Sequence, residues 1–407
     1  MAQTAEMSSL ADLTWARGFT DPAWVRRFTT AGRETVPSRS VWRGRNRPQE
    51  LVTARPRELP TAEGGHGLDS LPITAPDGRV LTLRELFDAA QTDAFLVLHR
   101  GKVVHETYLH GCESHIPHFN ASAAKSYIGL LAALLEHQGL LDRTTRVSTY
   151  VPELSGTAFG EADVDHLLHM GTWMSYAGRP YDKALEAQRY AAILAPRLRP
   201  YGYTGPASIR EHLATARATA APGTGFRYEN GNVEALAEVL RRITGTTTSE
   251  LLSELLWSRI GAEEDAYYVL DSEGAESACG GFSATARDVA RLGEMLRCGG
   301  AVGGLQVVPE SVAAAIATGV PDGYPRRVHF PGAPETTPAT LSYHDLWWIP
   351  NDPYGSFMAS GIHGQRLFVS PGLDLVVTHF ASQVMSPAVP PAPLVQAFLR
   401  IGAHLNG

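Results

Sequence analysis

Lysine is nearly missing from this 407-residue chain. Lys102, Lys125 and Lys183 are the only three, so the 35 basic residues include 32 arginines. Cysteine is scarce too. Cys112, Cys279 and Cys298 are odd in number and lack metal-ligand spacing, which excludes a disulfide framework and fits a reduced, cytoplasmic setting. No window approaches 18 uninterrupted apolar residues, and Met1 to Thr20 has no continuous apolar core, so neither a membrane span nor a secretory leader is expected. A net charge of −7 and a pI near 6.1 argue against nucleic acid as the main partner. Gly-x-Ser-x-Gly does not occur, which speaks against an α/β-hydrolase. Gly64-Gly65-His66-Gly67 has no strand-to-helix setting for a phosphate loop. His105 and His110 are five apart in a stretch that alternates like a strand, so they lack the helical spacing of a zinc site.

What remains is a globular composition, 44% hydrophobic and 19% charged, organised around one stretch. From Ala123 to Leu135 the chain is rich in helix formers and apolar on nearly every side, the pattern of a helix buried all round. Lys125 falls in its first turn. Burial disfavours an ammonium, and where arginine is the default cation a buried lysine suggests a need for a titratable amine. Ser122 stands three residues earlier, on the same helical face and near the helix N-terminus, where free N–H groups favour an oxyanion. Ser-x-x-Lys is thus a compact nucleophile-and-base pair, although Ser122 read locally could be a helix cap.

Residues 1 to about 75 hold Trp15, Trp24 and Trp42 among Arg- and Pro-rich segments, and they read as an extended arm wrapping a larger body. Ala94 to His99 and Val103 to Tyr108 flank Arg100-Gly101-Lys102 as a hairpin. Helical patterns follow at 162–170, 183–194, 209–215, 233–243, 251–260 and 286–296. The end of the chain is rich in strands, at 346–350, 356–364, 365–370 and 374–380, closed by an amphipathic helix over 391–405. The arrangement predicts an α+β fold: an antiparallel sheet domain from 76–120 and 275–407, and a mainly helical domain over 121–274.

A second informative stretch is Pro222 to Asn232, where a glycine turn delivers Tyr228 and Asn230 just before a long helix. Asn230 either projects into a cleft or only caps that helix, and the local sequence does not separate the two. The loop over 171–182 carries Tyr176 and Tyr181, which are equally candidates for substrate contact and for core packing.

Ser122-Ala123-Ala124-Lys125, then Tyr228-Glu229-Asn230, then a glycine strand motif near the end occur in an order that resembles the penicillin-recognising serine hydrolases. That superfamily includes class C β-lactamases, family VIII esterases and 6-aminohexanoate-dimer hydrolases; the long arm most resembles the last branch. The resemblance covers roughly residues 80 to 405. It implies a β-lactamase/transpeptidase-like fold and acyl transfer to water through an acyl-enzyme, with no metal or organic cofactor. Ser122 would attack, Lys125 accept its proton, and Tyr228 relay it, with Asn230 in support; the backbone N–H groups of Ser122 and Ile362 would form the oxyanion hole. The third motif aligns with Ala359-Ser360-Gly361, which lacks the cation that would hold a β-lactam carboxylate, and Ser-Asp-Asn is absent. A small linear amide or short ester is therefore the expected partner. A rival placement at His363-Gly364 makes His363 a further substrate-contact candidate. An acyltransferase using the same intermediate, a β-lactamase or D-peptidase, and a non-catalytic binding module of the same fold are the alternatives. A homodimer rests on base rate alone.

Overall fold

A computed structural model describes residues 22–54, 67–75, 77–176, 186–195, 199, 202–318, 324–329, 340–384 and 393–407. Its centre is a seven-stranded antiparallel sheet. The strands are β1 (Thr92–His99), β2 (Lys102–Tyr108), β3 (Ser342–His344), β4 (Trp347–Ile349), β5 (Phe357–Gly361), β6 (Gln365–Ser370) and β7 (Leu375–Ala381). Their order in space is β3-β4-β5-β6-β7-β1-β2, so the last strand of the chain closes on the first. All eight residues of β1 are buried, as its continuous apolar run requires of a strand covered on both faces.

The pleat sends alternate side chains to opposite faces. Phe368 of β6 meets Phe398 of the C-terminal helix at 5.4 Å between ring centroids. The neighbouring Leu367 and Val369 turn to the other face, where the helix at 286–297 approaches so closely that a Cβ on Gly293 would overlap Leu367 and Val376. Thr285 caps that helix by accepting from Asp288 N, as its sequence predicts.

Beside the sheet lie α1 (Ala124–His137), α2 (Val164–Leu168) and α3 (Asn230–Thr244). The glycine after α3, Gly245, has φ +69 and ends it in the left-handed conformation. The arm differs from its sequence reading. Pro22–Ala31 is a helix, and Ser38–Val41 pairs with Ala266–Val269 as the edge of a second, four-stranded sheet. Four residues without strong alternation carry no signal of their own; the ladder supplied by residues 266–269 makes them a strand. The helical pattern at 251–260 also resolves differently, as Thr248–Leu252 followed by a π-helical turn at Ser253–Trp257.

Candidate active site

Ala121 to Ala123 form a 3-10 turn that runs directly into α1. Ala121 has φ +48, a left-handed value that costs an L-residue energy and persists only where surroundings over-determine it. They do so here. Asn120 is fully buried, donating from Nδ2 to His118 O at 2.8 Å and accepting from Tyr127 Oη at 3.0 Å. The strained step sets Ser122, which is partly exposed, at the mouth of the helix.

Lys125 is 1% exposed. Its Nζ lies 2.9 Å from Ser122 Oγ, 2.6 Å from Asn230 Oδ1 and 2.6 Å from Cys279 O. Two of these partners, an amide oxygen and a peptide carbonyl, can only accept. A neutral amine has two N–H bonds and one lone pair. With both N–H bonds directed to Asn230 and Cys279, the lone pair faces the one partner able to donate, the Ser122 hydroxyl.

α3 builds the other side of this arrangement. Asn230 opens the helix while Glu229 occupies the cap position without a capping side chain bond, so Asn230 serves Lys125 rather than the helix end. One turn on, the fully buried Glu234 accepts from Ala278 N at 3.0 Å, Cys279 N at 3.2 Å and Ser277 Oγ at 3.3 Å. Burial pushes this carboxyl upward, against the pull of those donors. Asn230 and Glu234 at i and i+4 thus hold Lys125 directly and through the Cys279 carbonyl. Sequence reasoning missed both Glu234 and Cys279. The only signal was a second polar side chain one turn after Asn230 on the same helix face.

Tyr228 lies with its ring centroid 5.2 Å from Lys125 Nζ. It stacks on Trp348 at 5.8 Å and meets Tyr343 edge-on at 6.2 Å, with Phe226 edge-on to Tyr343 at 5.3 Å. Trp348 and Tyr343 come from the hairpin β3–β4, so the sheet supplies an aromatic wall that the sequence did not single out.

The end of β5 meets the nucleophile from the opposite side. A Cβ on Gly361 would overlap Asn120 O and lie 3.1 Å from Ser122 N. Glycine is what lets the strand end approach the serine backbone, with the 43%-exposed Ile362 next in line. Ala359-Ser360-Gly361 carries no cation, as the sequence reading had it, yet the site is not free of one. Arg366, paired across the hairpin with Ser360, donates to Gly361 O at 2.9 Å and Gln365 O at 2.6 Å. Burial pulls its guanidinium down to about 10. The cation arrives from the neighbouring strand, a pairing that a linear motif does not encode.

The secondary candidates fare differently. Tyr176 is 6% exposed and donates to Glu229 Oε1 at 2.8 Å, with His212 stacked on its ring at 4.4 Å; it anchors the segment carrying Tyr228 and Asn230. His363 is 3% exposed with Nδ1 2.5 Å from Gln383 O, and burial lowers its imidazole. This places it in the wall behind the strand end rather than in the mouth beside Ser122. Tyr181 lies outside the described residues.

A serine at a helix N-terminus, a buried amine one turn on, and a sheet strand across from them make up the site. The chain belongs to the beta-lactamase family, which it matches over residues 83–397, and it is a hydrolase of the serine type. It is 33% identical over 336 residues, 82% of each sequence, to the 6-aminohexanoate-dimer hydrolase of Paenarthrobacter ureafaciens. A Bacillus anthracis structure provisionally assigned as a 6-aminohexanoate-dimer hydrolase superposes with a TM-score of 0.82 at 33% identity, covering 95% of this chain and 96% of that one. A family VIII carboxylesterase shares the fold at 18% identity, with a TM-score of 0.57 over 82% of this chain and 99% of its own. Among the described residues no helix is long and apolar enough to cross a membrane.

Proposed function

We propose that this protein hydrolyses linear carboxylic amides, of the 6-aminohexanoate-oligomer kind, and short-chain esters through an acyl-enzyme on Ser122. Ser122 Oγ attacks the substrate carbonyl and gives its proton to the lone pair of Lys125 Nζ. The N–H groups of Ser122 and Ile362 take up the oxyanion, each such donor being worth about 10² to 10³ in rate. Tyr228 passes the proton to the departing amine or alcohol. Water then attacks the ester carbonyl, its proton returning by the same groups while Ser122 leaves.

One observation carries this reading: the buried Lys125 Nζ stands 2.9 Å from Ser122 Oγ, held there by the acceptor oxygens of Asn230 and Cys279. The likeness to the 6-aminohexanoate-dimer hydrolases supports the substrate class. The motif Ala359-Ser360-Gly361 itself carries no cation for a β-lactam carboxylate, which speaks against that substrate class.

Intact-mass spectrometry tests the proposal, using wild type and Ser122→Ala with p-nitrophenyl acetate, p-nitrophenyl butyrate and 6-aminohexanoate dimer. The expected result is turnover with a Ser122-dependent acyl adduct. Undiminished turnover in Ser122→Ala would refute the mechanism. Added alcohol or amine that diverts most of the acyl group would identify a transferase instead.

A further inference from the structure

Away from Ser122, three side chains from two parts of the chain meet beneath the surface. His169 follows α2, while His344 and Asp345 form the turn of the β3–β4 hairpin; they are 2%, 6% and 8% exposed. One ligand atom from each lies within 4.8 Å of the others.

The hydrogen bonding around them fixes what those atoms present. His169 Nδ1 is 3.0 Å from Asp165 O, an acceptor, so this nitrogen carries the proton. Its Nε2 is buried and without a hydrogen-bond partner, 3.7 Å from Asp345 Oδ1. His344 Nε2 is 3.5 Å from Asp345 Oδ2, and the Ile316 carbonyl lies beside the same ring. His169 is oriented as metal-binding histidines are, one ring nitrogen on a backbone carbonyl and the other free to face an ion, while the buried His344 Nδ1 has no hydrogen-bond partner.

Charge points the same way. Arg143 binds Glu136 at 2.8 and 2.7 Å, Asp345 at 3.3 Å through both oxygens, and Asp165 at 3.2 Å. Three carboxylates thus face one guanidinium, an acidic surrounding that favours a cation. Arg143 occupies one lone pair on each Asp345 oxygen, leaving the others toward the histidines.

We propose that His169, His344 and Asp345 bind one divalent transition-metal ion, of the zinc class, as a structural clamp. Two imidazole nitrogens and a carboxylate are a zinc donor set. Bond lengths of about 2.0–2.2 Å put tetrahedral ligand atoms roughly 3.3–3.5 Å apart; His344 Nε2 lies 3.5 Å from Asp345 Oδ2 and His169 Nε2 3.7 Å from Oδ1, so a small turn of the carboxylate would bring one oxygen to both nitrogens. The fourth position would take water. The clamp would fasten a turn that is already strained, since Asp345 and Leu346 have φ +46 and +67. It would fix that hairpin to the end of α2, where Leu346 N also donates to Leu168 O at 3.1 Å. The same hairpin carries Trp348 and Tyr343 to Tyr228, so the ion would brace the aromatic wall from behind without touching the reacting atoms. The acyl chemistry itself calls for no metal.

Titration of the stripped full-length protein with Co²⁺ and Zn²⁺ is the test. Expected are visible d–d absorption of a low-coordinate Co²⁺ site, displacement of Co²⁺ by one equivalent of Zn²⁺, and a higher melting temperature with Zn²⁺. His169→Gln with His344→Gln is expected to abolish the bands and the thermal shift, whether or not ester turnover persists. Wild type without Co²⁺ bands would overturn the proposal by itself, before any variant is made. So would bands that persist in a folded double variant.

Discussion

Replacing Asn230 by aspartate changes one atom and tests the base directly. The carboxylate would stand where Oδ1 lies 2.6 Å from Lys125 Nζ. At an effective dielectric of about 20, Coulomb's law gives roughly 6 kcal/mol of attraction at such a distance. The carboxylate's own desolvation opposes this. If half survives, about 3 kcal/mol favours the ammonium, or roughly a hundredfold less neutral amine near pH 7. The sign follows from the pair: a new anion stabilises the protonated base, so activity falls at neutral pH and returns as pH rises. The assay is kcat/KM for p-nitrophenyl butyrate from about pH 6 to about pH 10. Asn230→Asp should move the acid limb to higher pH by about two units, while Asn230→Ala, which removes the hydrogen bond without adding charge, should lower activity with little movement of the limb. An unmoved limb in a folded Asn230→Asp enzyme would refute Lys125 as the base.

Three further outcomes follow from the geometry. Gly361→Ala pushes a methyl group toward Asn120 O and Ser122 N, so kcat should fall by about 10² to 10³ with the oxyanion donors displaced; a variant retaining most of wild-type kcat would argue against Ile362 as a donor. Glu234→Ala strips the acceptor from Ala278 N and Cys279 N, which should cost about 2–4 kcal/mol in urea unfolding and loosen Lys125. Burial lowers the imidazoles of His212 and His379 to about 3 and about 4, from an unfolded value of 6.5. Between those values the unfolded chain binds more protons, so this stability is complete above pH 6.5 and falls with pH, by up to about 1.4 kcal/mol per unit for each histidine. His379→Gln should remove about half of that slope in urea titrations at successive pH values, and an unchanged slope would count against the assignment.

The sequence made the pairing of Ser122 with a buried Lys125 legible because their relation is local. Ser122 and Lys125 are one turn apart, and the apolar helix behind them announces burial. The hairpin Thr92–Tyr108 was legible for the same reason, since alternation and a glycine turn lie within one short window. Asn230 stayed ambiguous because capping and lysine binding ask for the same residue type at the same place. Glu234, the Cys279 carbonyl and Arg366 were out of reach for another reason. Glu234 and the Cys279 carbonyl act through partners far away in the chain, Arg366 acts on the carbonyls of its own hairpin, and a backbone carbonyl has no residue-type signature. Tyr176 was visible as a loop aromatic, but only its bond to Glu229 separates an anchor from a substrate contact. The strand at Ser38–Val41 exists by virtue of its pairing with Ala266–Val269.

The closure of the sheet by its last strand also bears on how the chain is made. β1 is buried along its whole length, with an apolar centre from Ala94 to Leu98, and its partner on one side is β7, where Leu375 pairs with His99. That partner leaves the ribosome about 280 residues later, or roughly 15 to 55 s at ordinary elongation rates. Throughout that interval β1 has only β2 to pair with, and a sticky edge is open to neighbouring nascent chains. Yield in the cell is therefore governed by a race between translation and aggregation. Slower aggregation at low temperature, or a chaperone that shields the β1–β2 hairpin, should raise the soluble fraction more than any stabilising change in the finished fold.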